Sequence, residues 1–153
     1  MKILKLKLLL VFLLSLTACT SSKTALFDHY SYVKTTELKV ETSNLIDKST
    51  TSYTANKIAI DKLLIDVEKL VEYEKNKPNN EITFAMWTLL NDKEKNLLAG
   101  FFKRWQEQDK LSMPFSQEAK KQVMEAFDLL IQYEVKKDKE SANVLLNLIN
   151  SQK

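Results

Sequence analysis

An all-α fold, a bundle of four or five helices with short connections, is predicted by two features of this 153-residue chain. Glycine occurs once and proline twice, too few for the many tight turns that a sheet protein needs between its strands. Over several long stretches, apolar residues recur instead at intervals of three and four, the spacing that lines one face of a helix. Cys19 is the only cysteine. No internal disulfide can form, so the fold must rest on burial alone, and the chain beyond Cys19 is long enough for one domain with a real core.

The first segment is not part of that bundle. Lys2, Lys5 and Lys7 precede the apolar run from Leu8 to Leu14, and small and hydroxyl residues lead on to Cys19. This is the layout of a secretory signal. At about 1.5 Å per residue the run is far too short for the roughly 30 Å of a bilayer core. Basic residues ahead of an apolar segment also stay on the cytoplasmic side and leave the downstream chain to be translocated.

Leu16, Thr17, Ala18 and Cys19 together resemble the bacterial lipobox. The resemblance implies a diacylglyceryl group on the Cys19 thiol, cleavage before it, and acylation of the new amino group with a palmitate-type chain. It also implies a membrane partner, since two or three acyl chains hold a protein permanently where one binds reversibly. Thr20, rather than Asp, comes after the cysteine, which under the family's sorting rule implies the outer membrane, facing the periplasm, in a Gram-negative host. The expected organisation is a signal peptide over residues 1–18, a lipidated N-terminus and tether over 19–29, and a helical domain over 30–153.

Thr20 to Thr24 are polar, with nothing to bury, and are expected to form a flexible tether of on the order of 15–20 Å. From Tyr30 to about Lys48 a helix is expected on Val33, Leu38, Leu45 and Ile46, which are only loosely periodic. The hydroxyl-rich stretch from Ser49 to Thr54 predicts a break, because such side chains compete for backbone hydrogen bonds. One continuous helix through to Lys77 is the alternative.

Ile60, Leu63, Leu64, Val67, Leu70 and Val71 mark the clearest helix, which must end near Lys77 because Pro78 disfavours helical geometry before it. Asn80 reads as an N-cap, with Glu81 in the first turn, for a helix that buries Ile82, Met86, Leu89 and Leu90. Asn91 and Asp92 suggest a second start. Leu98, Phe101, Phe102 and Trp105 continue with helical spacing, and Gly100 among them suggests close helix–helix approach, since an interior glycine costs about 1 kcal/mol relative to alanine. Residues 111–115 read as a connection and Ser116 as the cap of a last helix on Val123, Met124, Phe127, Leu130 and Ile131. The polar run over 136–140 is expected to interrupt it before Val144, Leu145, Leu148 and Ile149.

The net charge of +3 belongs to the leader. Three of the 23 basic side chains are Lys2, Lys5 and Lys7, none of the 20 acids precedes Cys19, and the remainder is neutral. A nucleic-acid partner, which needs a basic footprint, is not expected. Gly100 stands alone, so a glycine-rich phosphate loop, and with it a nucleotide, is not expected either. With His29 as the only histidine, a two-histidine zinc motif, a catalytic triad in the core and a multi-histidine metal site all lack parts, and no metal or other cofactor is implied.

The remaining enzymatic option is a carboxylate pair acting on or binding peptidoglycan, with Glu81, Asp92 and Glu94 near the aromatic region. The segment holding Trp87, Lys103, Arg104 and Trp105 reads either as core or as an interaction surface. Tryptophan and arginine favour interface hot spots, and burial of Trp105 decides between the two. With Pro78-Asn79-Asn80 and Met113-Pro114-Phe115, this pattern resembles small helical bacterial lipoproteins of unknown function. The expectation is a non-enzymatic, lipid-anchored envelope protein that binds another envelope protein; a carboxylate enzyme and a structural spacer are the alternatives.

Overall fold

A computed structural model describes residues 24–152. The lipobox at Leu16, Thr17, Ala18 and Cys19 lies outside the described residues. Within them the protein is all-helical, with six helices and no strand: α1 (His29–Ile46), α2 (Tyr53–Lys75), α3 (Glu81–Leu90), α4 (Leu98–Gln108), α5 (Met113–Lys136) and α6 (Lys139–Ser151). The count exceeds four or five because residues 136–140 divide the last stretch in two. Lys137 turns left-handed at φ 49°, and the Asp138 side chain then caps α6 by accepting from the Ser141 N–H at 2.8 Å.

The break after α1 is real, and the continuous-helix alternative is wrong. Residues 47–52 turn the chain back, so the start of α1 meets the end of α2 through Ser31 and Glu74. Helix α5 lies antiparallel to α1. Its start meets the turn after α1, where the Ser49 and Ser116 hydroxyls are 2.6 Å apart, and its end meets the chain before α1, where the Asp28 N–H donates to Glu134 Oε1 at 2.7 Å. Helix α3 packs on α2, α6 on both α5 and α3, and α4 on α2.

Buried side chains from all six helices form one core. Ile60, Leu63, Val67 and Leu70 supply the face of α2, and Val123, Phe127 and Leu130, completed by Ala119 and Ala126, that of α5. Helix α1 behaves differently. Its buried stripe is Ser31, Thr35, Leu38, Thr42, Leu45 and Ile46, while Val33 is only half-buried. Thr35 satisfies its hydroxyl by donating to the carbonyl of Ser31 at 2.7 Å, whereas the Thr42 hydroxyl is buried without a partner among the described residues.

Four local expectations need correction. Asn80 occupies the N-cap position without capping; its amide instead donates to Glu74. Helix α4 begins at Leu98 rather than after Asp92, because residues 92–97 form turns, with Asp92 accepting from the Glu94 N–H at 2.9 Å. Gly100 is required by those turns and not by a neighbouring helix, since a Cβ there would lie 1.7 Å from the Lys95 carbonyl oxygen. Ser116 lies inside α5, which starts at Met113 with Pro114 in its first turn, where a missing N–H costs nothing.

Candidate functional site at the tether end

The densest polar constellation lies where the N-terminal strap, residues 24–28, joins the bundle. The Ala25 N–H donates to the Asn79 carbonyl at 2.8 Å, and Ala25 is buried. The tether therefore stops short of residue 29, and its last part is docked. Asp28 then caps α1, its Oδ1 accepting from the Tyr30 N–H at 2.9 Å. Its other oxygen accepts from the Tyr73 hydroxyl at 2.6 Å and lies 3.2 Å from Lys77 Nζ.

Two glutamates are buried beneath the strap. Glu74, with no exposed surface, accepts from the Ser31 hydroxyl on one oxygen; its other oxygen accepts from the Asn80 amide at 2.6 Å and lies 3.4 Å from Lys77 Nζ. Glu134 holds the Asp28 N–H on one oxygen and Lys137 Nζ on the other, the latter at 2.7 Å. Lys137 also lies over the Tyr133 ring at 4.8 Å, and Lys77 over Tyr73 at 5.9 Å. Every carboxylate oxygen in the constellation has a donor, as buried charge requires.

The electrostatics arise from these contacts. Burial raises the Asp28 pKa, but the hydrogen bonds from Tyr73 and Lys77 and the Lys77 charge outweigh it and bring it down to about 2. The same bond pushes the Tyr73 phenol up to about 12, with burial and the Asp28 charge adding to it. At neutral pH the carboxylate is thus ionised and the phenol is a donor. The arrangement clamps the strap to α1, α2 and α5; with its oxygens occupied, it presents no spare base.

The residues singled out in the sequence fall elsewhere. Trp87 and Trp105 are wholly buried, which overturns the aromatic interaction surface. Trp105 donates to the carbonyls of Thr51 and Asp109, both at 3.0 Å, and Trp87 packs edge-on to Phe127 at 5.8 Å. The cations next to Trp105 do point outward, but each is engaged: Lys103 pairs with Glu94 at 2.6 Å, and the Arg104 guanidinium covers the Phe115 ring at 4.9 Å. Glu81 and Glu94 are exposed, Asp92 is tied into its turn, and His29 is an exposed first residue of α1. The depression that contains Glu94 is lined by Lys93, Lys95, Lys103, Arg104 and Glu107, with neither Glu81 nor Asp92. A groove of about 280 Å³ between α1 and α2 contains Glu37, Glu41 and Asp66, interlaced with Lys34, Lys62 and Lys69 at ion-pair distances.

Among the described residues no group of three or more His, Cys, Asp or Glu side chains is arranged to hold a metal ion, and no helix is long and apolar enough to cross a membrane. The carboxylates of the clamp were not singled out in the sequence, yet a signal exists. Glu74 lies one turn past the stripe Leu63, Val67, Leu70, and Glu134 one turn past Val123, Phe127, Leu130. An acid on the next turn of an apolar stripe points into the core.

Comparison with protein-family models, with curated proteins and with solved structures found no match to this chain.

Proposed function

We propose that this chain is a bacterial lipoprotein whose helical domain is held at the envelope membrane by lipid on Cys19, and that it acts there as a non-enzymatic interaction or assembly module. In a Gram-negative host, Thr20 directs it to the outer membrane, facing the periplasm. The observation that carries the reading is the position of the only cysteine, directly behind a basic n-region and a short apolar run and at the end of Leu16-Thr17-Ala18.

The fold supports the reading in two ways. Its core is built by burial without a disulfide, so export imposes no oxidative folding step. The strap beyond the proposed anchor is clamped to three helices, so a force applied through the lipid is distributed over the bundle. The spacer alternative would gain from one long continuous helix, and the α1–α2 hairpin does not supply it. The carboxylate alternative would gain from a cleft with two facing acids; Glu81 and Glu94 are exposed and Asp92 is held in its turn, which adds no support to it.

The anchor is tested by mass spectrometry of the N-terminal peptide from membrane-purified protein. The expected peptide begins at Cys19 and carries acyl mass; an unmodified Cys19 refutes the reading. A Cys19→Ala variant is expected to remain as an uncleaved or mis-sorted precursor. The module's role is tested by crosslinking in intact cells, which should capture one envelope protein reproducibly and lose it in the Cys19→Ala variant.

A further inference from the structure

Large apolar side chains collect on the outside of the clamp. Leu26 is 87% exposed and Phe27 52%, an unusual state for consecutive residues in a strap whose neighbour Ala25 is buried. Tyr30 and Tyr73 are also exposed, and their rings pack at a tilt with centroids 4.7 Å apart. A shallow depression joins Leu26 and Phe27 to Lys77 and Pro78, and a second joins Lys77 and Pro78 to Tyr30 and Tyr73. The four apolar and aromatic side chains and Pro78 thus form one continuous face.

We infer that this face docks on the lipid bilayer, with Leu26 and Phe27 inserted at the headgroup level and Tyr30 and Tyr73 beside them. The inference rests on the lipid-anchor reading. Its occupant is set by where the chain leads: Thr24 follows Cys19 so closely that the residues between them, even at full extension, span no more than on the order of 20 Å. A surface held that near a membrane meets it at high effective concentration, so a small insertion suffices. Phenylalanine and tyrosine, apolar with a polar tip in the second case, suit the interfacial zone.

Charge does not drive the contact. The cations around the face are each occupied, Lys69 by Asp66 at 2.8 Å, Lys75 by Glu72 at 3.4 Å, and Lys77 by Asp28 at 3.2 Å. Binding therefore depends on apolar insertion and is indifferent to anionic lipid. The far end of the bundle is the internal control, since Ile58 on α2 is as exposed as Leu26, at 88%, yet lies about 20 Å along the helix from Tyr73.

The test uses the full lipidated protein reconstituted in vesicles of phosphatidylcholine, and of phosphatidylcholine with phosphatidylglycerol. An environment-sensitive fluorophore is placed on Phe27→Cys, Leu26→Cys or Ile58→Cys, in which the acylated Cys19 leaves the new thiol as the reactive one. Brominated phosphatidylcholine is expected to quench the labels at 26 and 27 several-fold more than the label at 58, equally in both compositions. Equal quenching at all three sites overturns the inference, as does a label at 27 that is shielded by protein without quenching. Quenching confined to anionic vesicles overturns the apolar mechanism. Mass spectrometry of the same samples separates the failures: missing acyl mass removes the anchor, whereas acylated protein without quenching removes only the docking face.

Discussion

The two ends of the α1–α2 hairpin close the bundle by different means. At the tether end the side-chain bonds centre on carboxylates: Asp28 with Tyr73 and Lys77, Glu74 with Ser31 and Asn80, Glu134 with Lys137. At the far end backbone and neutral groups join the exposed Asp109 carboxylate, which accepts from the Ser52 hydroxyl at 2.7 Å and the Tyr53 N–H at 3.1 Å. The Leu111 N–H donates to the Ser49 carbonyl at 2.9 Å, the Tyr53 N–H to the Asp109 carbonyl at 2.8 Å, and Trp105 reaches two carbonyls. Asp109 makes that convergence with a positive φ of 60°, outside the range comfortable for a residue with a side chain. Burial of carboxylates makes an end costly to break; burial of hydroxyls and an indole makes it tight with less of its bonding carried by charge.

The largest difference is expected at Glu74. Glu74→Ala removes the acceptor of the Ser31 hydroxyl, leaves the Asn80 amide only the backbone carbonyl of residue 74, and takes one carboxylate from Lys77, and it should cost about 3 kcal/mol in urea unfolding. A loss below that of an ordinary surface substitution would show the clamp to be dispensable.

The far end should answer to pairing rather than to charge. Ser116→Ala leaves the Ser49 hydroxyl buried alone and should cost about 2 kcal/mol, whereas Ser49→Ala combined with Ser116→Ala removes both partners and should recover most of that loss. A double variant weaker than either single one would contradict the account. The tryptophans sharpen the same point, because the Trp87 Nε1 has no partner among the described residues. Trp105→Phe should therefore cost about 1 kcal/mol more than Trp87→Phe, as read by thermal unfolding.

The smallest effect is the pH response of the tether end. Asp28 is held down at about 2, so its contribution is complete above its ordinary value of 3.8 and is lost as pH falls from there towards 2. Tyr73 is raised to about 12, so its contribution is complete below 10 and is lost as pH rises towards 12. Solvent screening of this partly exposed pair limits each to below about 1 kcal/mol. Tyr73→Phe should move the acid limb of the stability profile upward and erase the alkaline one; unchanged limbs would place the response elsewhere.

Local pattern made much of the architecture legible. The stripes of α2, α4 and α5 mark the core because helical periodicity is a property of neighbouring residues. The face of α1 was obscured because Ser31, Thr35 and Thr42 look polar in the sequence, and only the fold supplies Ser31 with the Glu74 carboxylate that lets it be buried. Gly100 could be flagged as special, but not for its reason, since the Lys95 carbonyl that excludes a Cβ belongs to an irregular turn. The aromatic run was legible as core or surface alike; only the burial of Trp105 separates them.

By itself the sequence determined the helical class, the neutrality of the chain after Cys19 and the position of that cysteine, all of which depend on composition or on residues close in the chain. Tertiary structure decided which acids are buried and where the strap docks. Asp28 and Glu134 meet although they are 106 residues apart, and Leu26 and Phe27 meet the α2 end only because α1 and α2 fold back on each other. Contacts of that range carry no local signature, because they depend on how the helices pack and not on how each one forms.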